Sequence, residues 1–295
     1  MNKKVVIFLV VSFLFSWIIA LVIWKFSLYE GRNLLLTTLL VVYMFGPAIG
    51  AIIAQRSSNQ KVKDLGIEFK VNKWWILGVL SILTITILTP LISYLLGGGL
   101  ITSWEELQNK VVEIYKSELA QKQMEKIGKV VNNNILIFYL ITILSGVVAG
   151  LTINGLAAFG EELGWRGLLF EEFKKYGFIK SSFLIGIIWG LWHAPIIAMG
   201  HNFPQHPTEG IFLMTAFCVA LAFIMNYFRL KSNSVILSSI MHGTLNGTAG
   251  IYVYANKVSN DILYNLAGIA GIMVIILLIF IISFDREVFL SEKLN

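Results

Sequence analysis

The chain has 295 residues, of which 57% are hydrophobic and only 14% are charged, and its net charge is +6. About a quarter of the residues in a soluble domain are charged, so this composition excludes an ordinary soluble protein and predicts an all-α, polytopic membrane protein. The positive charge does not indicate nucleic-acid binding, because membrane proteins collect Lys and Arg in their cytoplasmic loops. The single cysteine, Cys218, lies in an apolar run and cannot form an internal disulfide.

Eight apolar runs are each about 20 residues long, which is the length that a helix needs to cross a bilayer. The first run follows two lysines and has no small-residue cleavage site, so we expect a retained span and not a signal peptide. Because low-complexity tracts and internal repeats are absent from the sequence, we expect one membrane domain over residues 1–295, with a core at about 135–255 that contains the polar clusters described below. The predicted transmembrane helices are 5–24, 34–55, 74–97, 135–158, 181–199, 210–228, 234–254 and 262–284.

The charges of the loops predict how these spans are oriented. With the amino terminus inside, 15 of the 23 basic residues fall in cytoplasmic segments and 8 fall outside. By the positive-inside rule, we expect a multi-pass protein of the cell membrane with both termini in the cytoplasm. The abundance of Ile, Asn and Lys is typical of an AT-rich bacterial genome. Residues 103–129 have apolar side chains at helical spacing and predict an amphipathic segment on the outer surface, either a lid or a solvated spacer.

The stretch FGEELGWRG, residues 159–167, places two carboxylates and an arginine beside a long apolar run. A Glu or Arg at the bilayer centre costs roughly 2.5–3.5 kcal/mol on insertion scales. On a helix, Glu162 and Arg166 share a face and can form an ion pair. Glu161 is rotated about 100° from this pair and has no partner nearby in the sequence, so it is a candidate general base or acid. The alternative interpretation is a helix end at the membrane surface, where charges cost little.

Two further polar clusters lie inside predicted spans. His193 precedes Pro195 in the fifth span, and a proline inside a membrane helix removes a hydrogen bond and kinks the helix. In the seventh span, His242 and Asn246 lie four residues apart on one helix face. Each histidine alone is more typical of a packing residue. Together with Glu161 they predict a functional site, because intramembrane ionisable groups usually face the bundle interior or a water-filled cavity.

These motifs, in this order, resemble those of the CAAX prenyl endopeptidases and bacteriocin-processing enzymes, a family also called the CPBP or Abi intramembrane proteases. The family pattern is EExxxR, FxxxH and HxxxN on successive core helices. Here the three motifs are Glu161–Arg166, Trp189–His193 and His242–Asn246. Trp189 stands where Phe is usual, and it keeps an aromatic packing position. Residues 1–130 carry no signature of the family beyond apolar spans.

The resemblance implies an intramembrane endopeptidase in which four side chains are catalytic: Glu161, His193, His242 and Asn246. The glutamate would activate a water molecule with help from the first histidine, and the second histidine and the asparagine would form the oxyanion hole. Glu162 and Arg166 would be structural and hold the helix so that the catalytic glutamate points into a cavity, with Trp189 as packing support. This mechanism needs no cofactor.

Two other interpretations use the same residues differently. In a metal-dependent membrane protease, Glu161, His193 and His242 would be ligands of zinc, although the sequence has no HExxH motif. His201 and His206 are interpreted as loop residues, since their spacing does not match that of helical metal ligands. Without enzymatic activity, the chain would be a membrane scaffold or a bacteriocin immunity protein. A transporter is the remotest alternative, because the first three spans are almost wholly apolar.

The expected partners are membrane lipid and a peptide or protein substrate that reaches the site from the membrane, and nucleic acid is not expected. Because bacteria generally lack prenylated CAAX proteins, the favoured substrates are leader peptides, signal-peptide remnants, bacteriocins and quorum-sensing precursors.

The depths of two site residues lead to a structural prediction. If the fourth span ended at residue 158, Glu161 would lie at the cytoplasmic surface. His193, about 12 residues into the fifth span, would lie roughly 18 Å deep at 1.5 Å per residue. The two side chains could not then share one water molecule. We therefore expect the fourth helix to continue to about Lys174, so that Glu161 lies inside the bundle, level with both histidines.

Overall fold

The computed structural model describes residues 2–30, 34–115 and 118–293. Within these ranges the chain is helical and contains no strand, only an isolated antiparallel bridge between Leu100 and Asn256. The prediction of an all-α polytopic membrane protein is confirmed. Asparagine side chains cap several helices, as at Asn72 and Asn134, where the side-chain oxygen accepts hydrogen bonds from backbone N–H groups of the first turn.

The helices follow one another along the chain with short connections. Their bounds are α1 Lys3–Lys25, α2 Leu34–Met44, α3 Gly46–Ser57, α4 Lys73–Leu95, α5 Trp104–Tyr115, α6 Glu118–Val130, α7 Ile135–Leu151, α8 Ile153–Glu162, α9 Phe170–Phe173, α10 Phe178–Ala198, α11 Pro207–Ser232, α12 Val235–Thr248, α13 Gly250–Ala255, α14 Ile269–Ile282 and α15 Arg286–Phe289. A π-helical stretch, Leu163–Leu169, joins α8 to α9.

The number of long apolar helices is smaller than the number of predicted spans. Within the described ranges, five helical segments are long and apolar enough to cross a membrane: α1, α2 with α3, α4, α10 and α11. A sixth counts only if α6 and α7, which are bent by 99°, are taken as one span. The other predicted spans contain shorter helices. In the last of them, turns occupy residues 261–264 and the helix begins only at Ile269, so its 14 residues extend about 21 Å.

Contacts between the loops define two ends of the bundle. At one end, which we call the basic end, Lys4 pairs with Glu172 at 2.8 Å and Lys231 pairs with Asp285 at 2.5 Å. At the opposite end, which we call the α5–α6 end, Lys110 donates to Ser259 at 2.5 Å. These contacts therefore join loops that the predicted topology places on the same side of the membrane.

The helix that carries the first motif continues beyond the predicted span, as expected. It is broken once, at Thr152, and then runs through α8, the π-helical stretch and α9. Both α7 and α8 pack along α12, and glycines allow the close approach: a Cβ atom on Gly243 would lie 2.5 Å from the backbone nitrogen of Gly155. The Glu161 side chain is consequently buried in the bundle, with 2% of its surface exposed.

The predicted amphipathic segment forms two helices, α5 and α6. Their apolar faces cover a small separate hydrophobic cluster that includes Trp104, Leu107 and Met124. This cluster also contains Ile135 at the start of α7, and Phe138 packs against it. The segment is thus a folded cap on the α5–α6 end of the bundle, whereas the sequence left open a choice between a lid and a spacer.

Candidate active site

A cavity of about 350 Å³ lies inside the bundle, and all four predicted catalytic side chains line it: Glu161, His193, His242 and Asn246. They come from α8, α10 and α12, which are brought together although the motifs are separated by up to 80 residues in the chain. Most of the remaining wall is apolar, with contributions from Leu40, Met214, Phe217 and Leu245 among others. Such a mostly apolar pocket with a few convergent polar groups is typical of an active or binding site.

Glu161 is held by two tryptophans through one of its oxygens. Trp189 Nε1 donates to Glu161 Oε2 at 2.7 Å, and Trp165 Nε1 donates to the same oxygen at 3.3 Å. The sequence interpretation that this carboxylate has no nearby partner was wrong, because the indole of Trp165 lies one helical turn away. Hydrogen bonds from fixed N–H donors stabilise a buried carboxylate and set the direction of its free oxygen.

The backbone geometry of α10 sets the tautomer of His193. Its Nδ1 lies 2.9 Å from the carbonyl oxygen of Trp189. A carbonyl can only accept, so Nδ1 carries the proton and Nε2 is the acceptor of the neutral ring. Near the proline kink, the carbonyl oxygen of Trp192 accepts hydrogen bonds from Trp17 Nε1 at 3.1 Å and from the hydroxyl of Tyr43. These contacts tie the α10 segment at the site to α1 and α2.

A buried group of three charged or ionisable side chains lies beside the cavity. Glu162 Oε1 accepts from Arg166 Nη1 at 3.0 Å and from His242 Nδ1 at 2.8 Å. Glu162 and Arg166 are fully buried. The predicted ion pair is therefore present, and it has a further contact that the sequence did not indicate: the same carboxylate orients the second histidine. With Nδ1 bound to Glu162, His242 keeps Nε2 for other partners.

Trp189 contacts the carboxylate and both histidines of the site. Its indole N–H binds Glu161, its carbonyl fixes His193, and its ring lies with its centroid 5.6 Å from that of His242. The guanidinium of Arg166 lies 4.3 Å from the Trp189 ring centroid, which is within cation–π range. The sequence interpretation of Trp189 as an aromatic packing residue was incomplete, because a phenylalanine has no N–H to offer the carboxylate.

Several residues at the site had no signal in the sequence. Tyr43 and other α2 residues line the cavity although residues 1–130 carry no motif. His201, interpreted as a loop residue, also lines the cavity, whereas His206 binds Asp261 at 2.5 Å. Asn246 lies one turn beyond His242 and is exposed to the cavity space.

Arg229 was interpreted as a cytoplasmic loop charge, but its side chain is buried at the basic end of the bundle. Its guanidinium donates to the carbonyl oxygen of Arg166 at 3.0 Å and to Glu171 at 2.9 Å. It also approaches the backbone of Leu65 and Gly66, so closely that a Cβ atom at Gly66 would lie 2.1 Å from Arg229 Nη2. Arg229 thus joins α11, the loop after α3 and the helix of the first motif.

The metal-dependent alternative would need the cavity carboxylate and both cavity histidines around one ion. Across the described ranges, no three His, Cys, Asp or Glu side chains are grouped in a way that could hold a metal ion. Glu161 Oε2 is engaged by two indoles, and the Nδ1 atoms of the cavity histidines are engaged by the Trp189 carbonyl and by Glu162. Contacts of this kind at Nδ1 orient a histidine both for catalysis and for metal binding.

Comparison with known proteins supports the family resemblance over the region that carries the motifs. Residues 133–248 match the family model described as "Type II CAAX prenyl endopeptidase Rce1-like". A curated relative, "CAAX prenyl protease 2" of Methanococcus maripaludis, is 35% identical over 97 residues. That match covers 31% of this chain and 36% of the relative, so the chain spans about a third of the length of the curated protein it matches. The matched family region contains all three motifs and the four predicted catalytic residues.

Proposed function

The motif-bearing region, residues 133–248, belongs to the CPBP family, and from this premise we propose that the chain is an intramembrane endopeptidase of the glutamate type. The observation that carries the proposal is that Glu161, His193, His242 and Asn246 line one buried cavity. Hydrolysis of a peptide bond requires a base that activates water and donors that stabilise the developing oxyanion. These four side chains can supply both the base and the donors.

Water activation is assigned to Glu161 and His193. Because the two indole N–H groups bind Oε2, the other oxygen of Glu161 is the one that accepts a proton from water. His193 Nε2 is an acceptor in the neutral ring and orients the same water. The water oxygen attacks the peptide carbonyl carbon, and its proton passes through the glutamate to the amide nitrogen as the C–N bond breaks.

The oxyanion hole is assigned to His242 and Asn246. An asparagine amide donates to an oxyanion without carrying charge, and a protonated His242 donates through Nε2. Glu162 lies on the other nitrogen of this ring at 2.8 Å and compensates the positive charge of the doubly protonated imidazole. In this assignment Glu162 and Arg166 are positioning residues.

The proposal is tested in cells that carry either the native protein or Glu161→Gln. The amino-terminal ends of membrane and secreted peptides are compared by mass spectrometry. We expect a small set of peptide ends to disappear in the variant while uncleaved precursors accumulate. A leader peptide or signal-peptide remnant is the favoured substrate, and a prenylated peptide, as in the name of the curated relative, is the alternative. Identical peptide sets in the two strains would favour a non-enzymatic scaffold.

Metal dependence is the second test of the mechanism. We expect the purified enzyme to keep full activity after exhaustive chelation and dialysis, because in the proposed mechanism Glu161 and His193 activate the water, and His242 and Asn246 stabilise the oxyanion, without a metal ion. Metal content is measured by inductively coupled plasma mass spectrometry, and cleavage is measured before and after chelation. Activity that vanishes with chelator and returns with Zn²⁺ would overturn the glutamate mechanism and leave the protease assignment standing.

Trp189→Phe tests the donor that holds the catalytic carboxylate. The substitution keeps an aromatic ring near Arg166, and it removes the N–H bound to Glu161 together with part of the buried indole, a loss of volume that the control below reproduces. Loss of a hydrogen bond to a charged group corresponds to about 1.5–3 kcal/mol, so we expect kcat to fall roughly tenfold to a hundredfold with little change in KM. Trp192→Phe is the matched control, since Trp192 Nε1 is buried and has no hydrogen-bond partner among the described residues. A fall of equal size in both variants would contradict the role of Trp189.

A further inference from the structure

The positions of the lining residues along their helices indicate from which end of the bundle the cavity is reached. On α10, which ends at Ala198, the lining side chains run from Trp189 to Ile196. On α11, which begins at Pro207 at the α5–α6 end, they run from Met214 to Leu221. On α10 they occupy the half of the helix nearer the α5–α6 end, and on α11 they lie within the first 15 of its 26 residues.

The mouth of the cavity is formed by loops of that same end. His201 and Asn202, in the loop before α11, and Asn265, in the segment before α14, are among the lining residues. These two segments are tied together, since Asn265 Nδ2 donates to the carbonyl oxygen of Asn202 at 2.5 Å. The polar side chains at this mouth admit water, and the apolar wall below them suits a peptide that enters from this end.

The basic end below the cavity is closed. Trp165 and Phe8 are fully buried and pack edge to face, with ring centroids 5.5 Å apart. Beneath them Arg229 joins the Arg166 carbonyl to Glu171 and to the Leu65 backbone. Among the described residues, none from the loops of the basic end lines the cavity.

The charge distribution sets which end faces the cytoplasm. Although Arg166 and Arg229 are buried in the bundle, thirteen other basic residues of the described ranges lie at the basic end or in its loops, against six at the other end. By the positive-inside rule the basic end, with both termini, faces the cytoplasm.

We propose that the catalytic cavity opens to the extracytoplasmic side and receives apolar peptide segments that are already inserted in, or exported across, the membrane. That the cavity is catalytic rests on the proposed function, whereas the direction of its opening rests on the fold and on the charge distribution. It places the scissile bond in the outer half of the bilayer, next to apolar walls such as Phe217 and Leu245 and below the polar mouth. A lipid-modified tail that is presented from the cytoplasm does not reach this mouth.

The test is thiol labelling of intact cells with a small, charged, membrane-impermeant methanethiosulfonate, in a Cys218→Ser background. Single cysteines are introduced at the mouth (Asn202→Cys) and on the cavity wall (Ala249→Cys). Gln123→Cys, exposed on α6, and Lys63→Cys, exposed at the basic end, mark the two sides. We expect the first three positions to react from outside, and Lys63→Cys to react only after permeabilisation.

Each other pattern overturns the proposal. If Lys63→Cys reacts in intact cells and the cavity positions do not, the orientation is reversed and the cavity faces the cytoplasm. If Ala249→Cys is protected from both sides while Gln123→Cys reacts, the cavity has no aqueous mouth.

The labelling result does not depend on the proposed function. The introduced cysteines should react in the same pattern when Glu161→Gln is added, whether or not the protein is a protease. Should the expected labelling be found while Glu161-dependent cleavages map to cytoplasmic segments of their substrates, the substrate part of the proposal is wrong and the protease assignment stands.

Discussion

Purified Glu161→Gln enzyme is expected to lose its turnover by a factor of roughly 10²–10⁴, the usual contribution of a positioned general base. The amide has nearly the same shape as the carboxylate, and its oxygen can still accept the two indole N–H groups of Trp165 and Trp189. It has no basicity with which to take a proton from water. The measurements are cleavage of the substrate identified in cells and the melting temperature in detergent, which we expect to stay close to the native value.

Glu172→Gln is the matched control for this substitution. Glu172 pairs with Lys4 at 2.8 Å at the basic end, on the same helical segment but outside the cavity. The same chemical change there should leave turnover unchanged. If Glu161→Gln kept more than about a tenth of the native turnover, Glu161 would not be the base, since even the low end of the expected loss is a hundredfold.

The convergence of the four cavity residues could be predicted from the sequence because charge inside a membrane is expensive. Polar groups in apolar spans must face one another or a cavity, and Glu161, His193 and His242 had few other places to lie. The continuation of the helix past residue 158 followed in the same way, from the need to bring the glutamate to the depth of the histidines. Both expectations rest on the free-energy cost of desolvating a charge. This cost depends on the type of residue and on its depth in the membrane, and not on detailed packing.

The rotation of each helix could not be predicted, because spans that are apolar on all faces carry no amphipathic signal. The contribution of α2 to the cavity wall and the contact of Tyr43 with the Trp192 carbonyl are therefore findings of the structure. The contact between Glu162 and His242 joins residues 80 positions apart, and local spacing says nothing about such pairs. The π-helical stretch Leu163–Leu169 begins within the first motif and changes the helical register there, a feature that is frequent at functional sites.

The length of an apolar run in the sequence also did not predict the length of the helix that it forms. The sequence has eight apolar runs, but within the described ranges only five helical segments, or six with the bent pair, are long and apolar enough to span a membrane. Turns before Ile269 and the break at Thr152 shorten two of the helices. Composition cannot reveal these interruptions, because an apolar loop segment that is buried in protein looks like an apolar helix. Backbone groups that leave the helix must then find partners inside the bundle, as where the N–H groups of Ile269 and Ala270 bind the carbonyls of Ile262 and Leu263.

Glu162→Gln is expected to reduce stability as well as activity, unlike the change at the neighbouring position. Glu162 and Arg166 are both fully buried and lie 3.0 Å apart. Removing one partner of a buried ion pair leaves the other charge uncompensated, at a cost of about 3–5 kcal/mol. We expect a melting temperature lower by on the order of 10 °C and less folded protein in the membrane. Glu106→Gln, which breaks the solvent-exposed pair with Lys257, is the control and should change the melting temperature little.

A second substitution distinguishes an uncompensated charge from a general packing defect. In Glu162→Gln with Arg166→Met, the guanidinium that the first change left uncompensated is also removed, so part of the lost melting temperature should return. Recovery should be incomplete, because the guanidinium also lies against the Trp189 ring. Activity should stay low in the double variant, since His242 loses the carboxylate that compensates its charge. A double variant that is less stable than Glu162→Gln alone would show that the arginine stabilises the fold through contacts other than this ion pair.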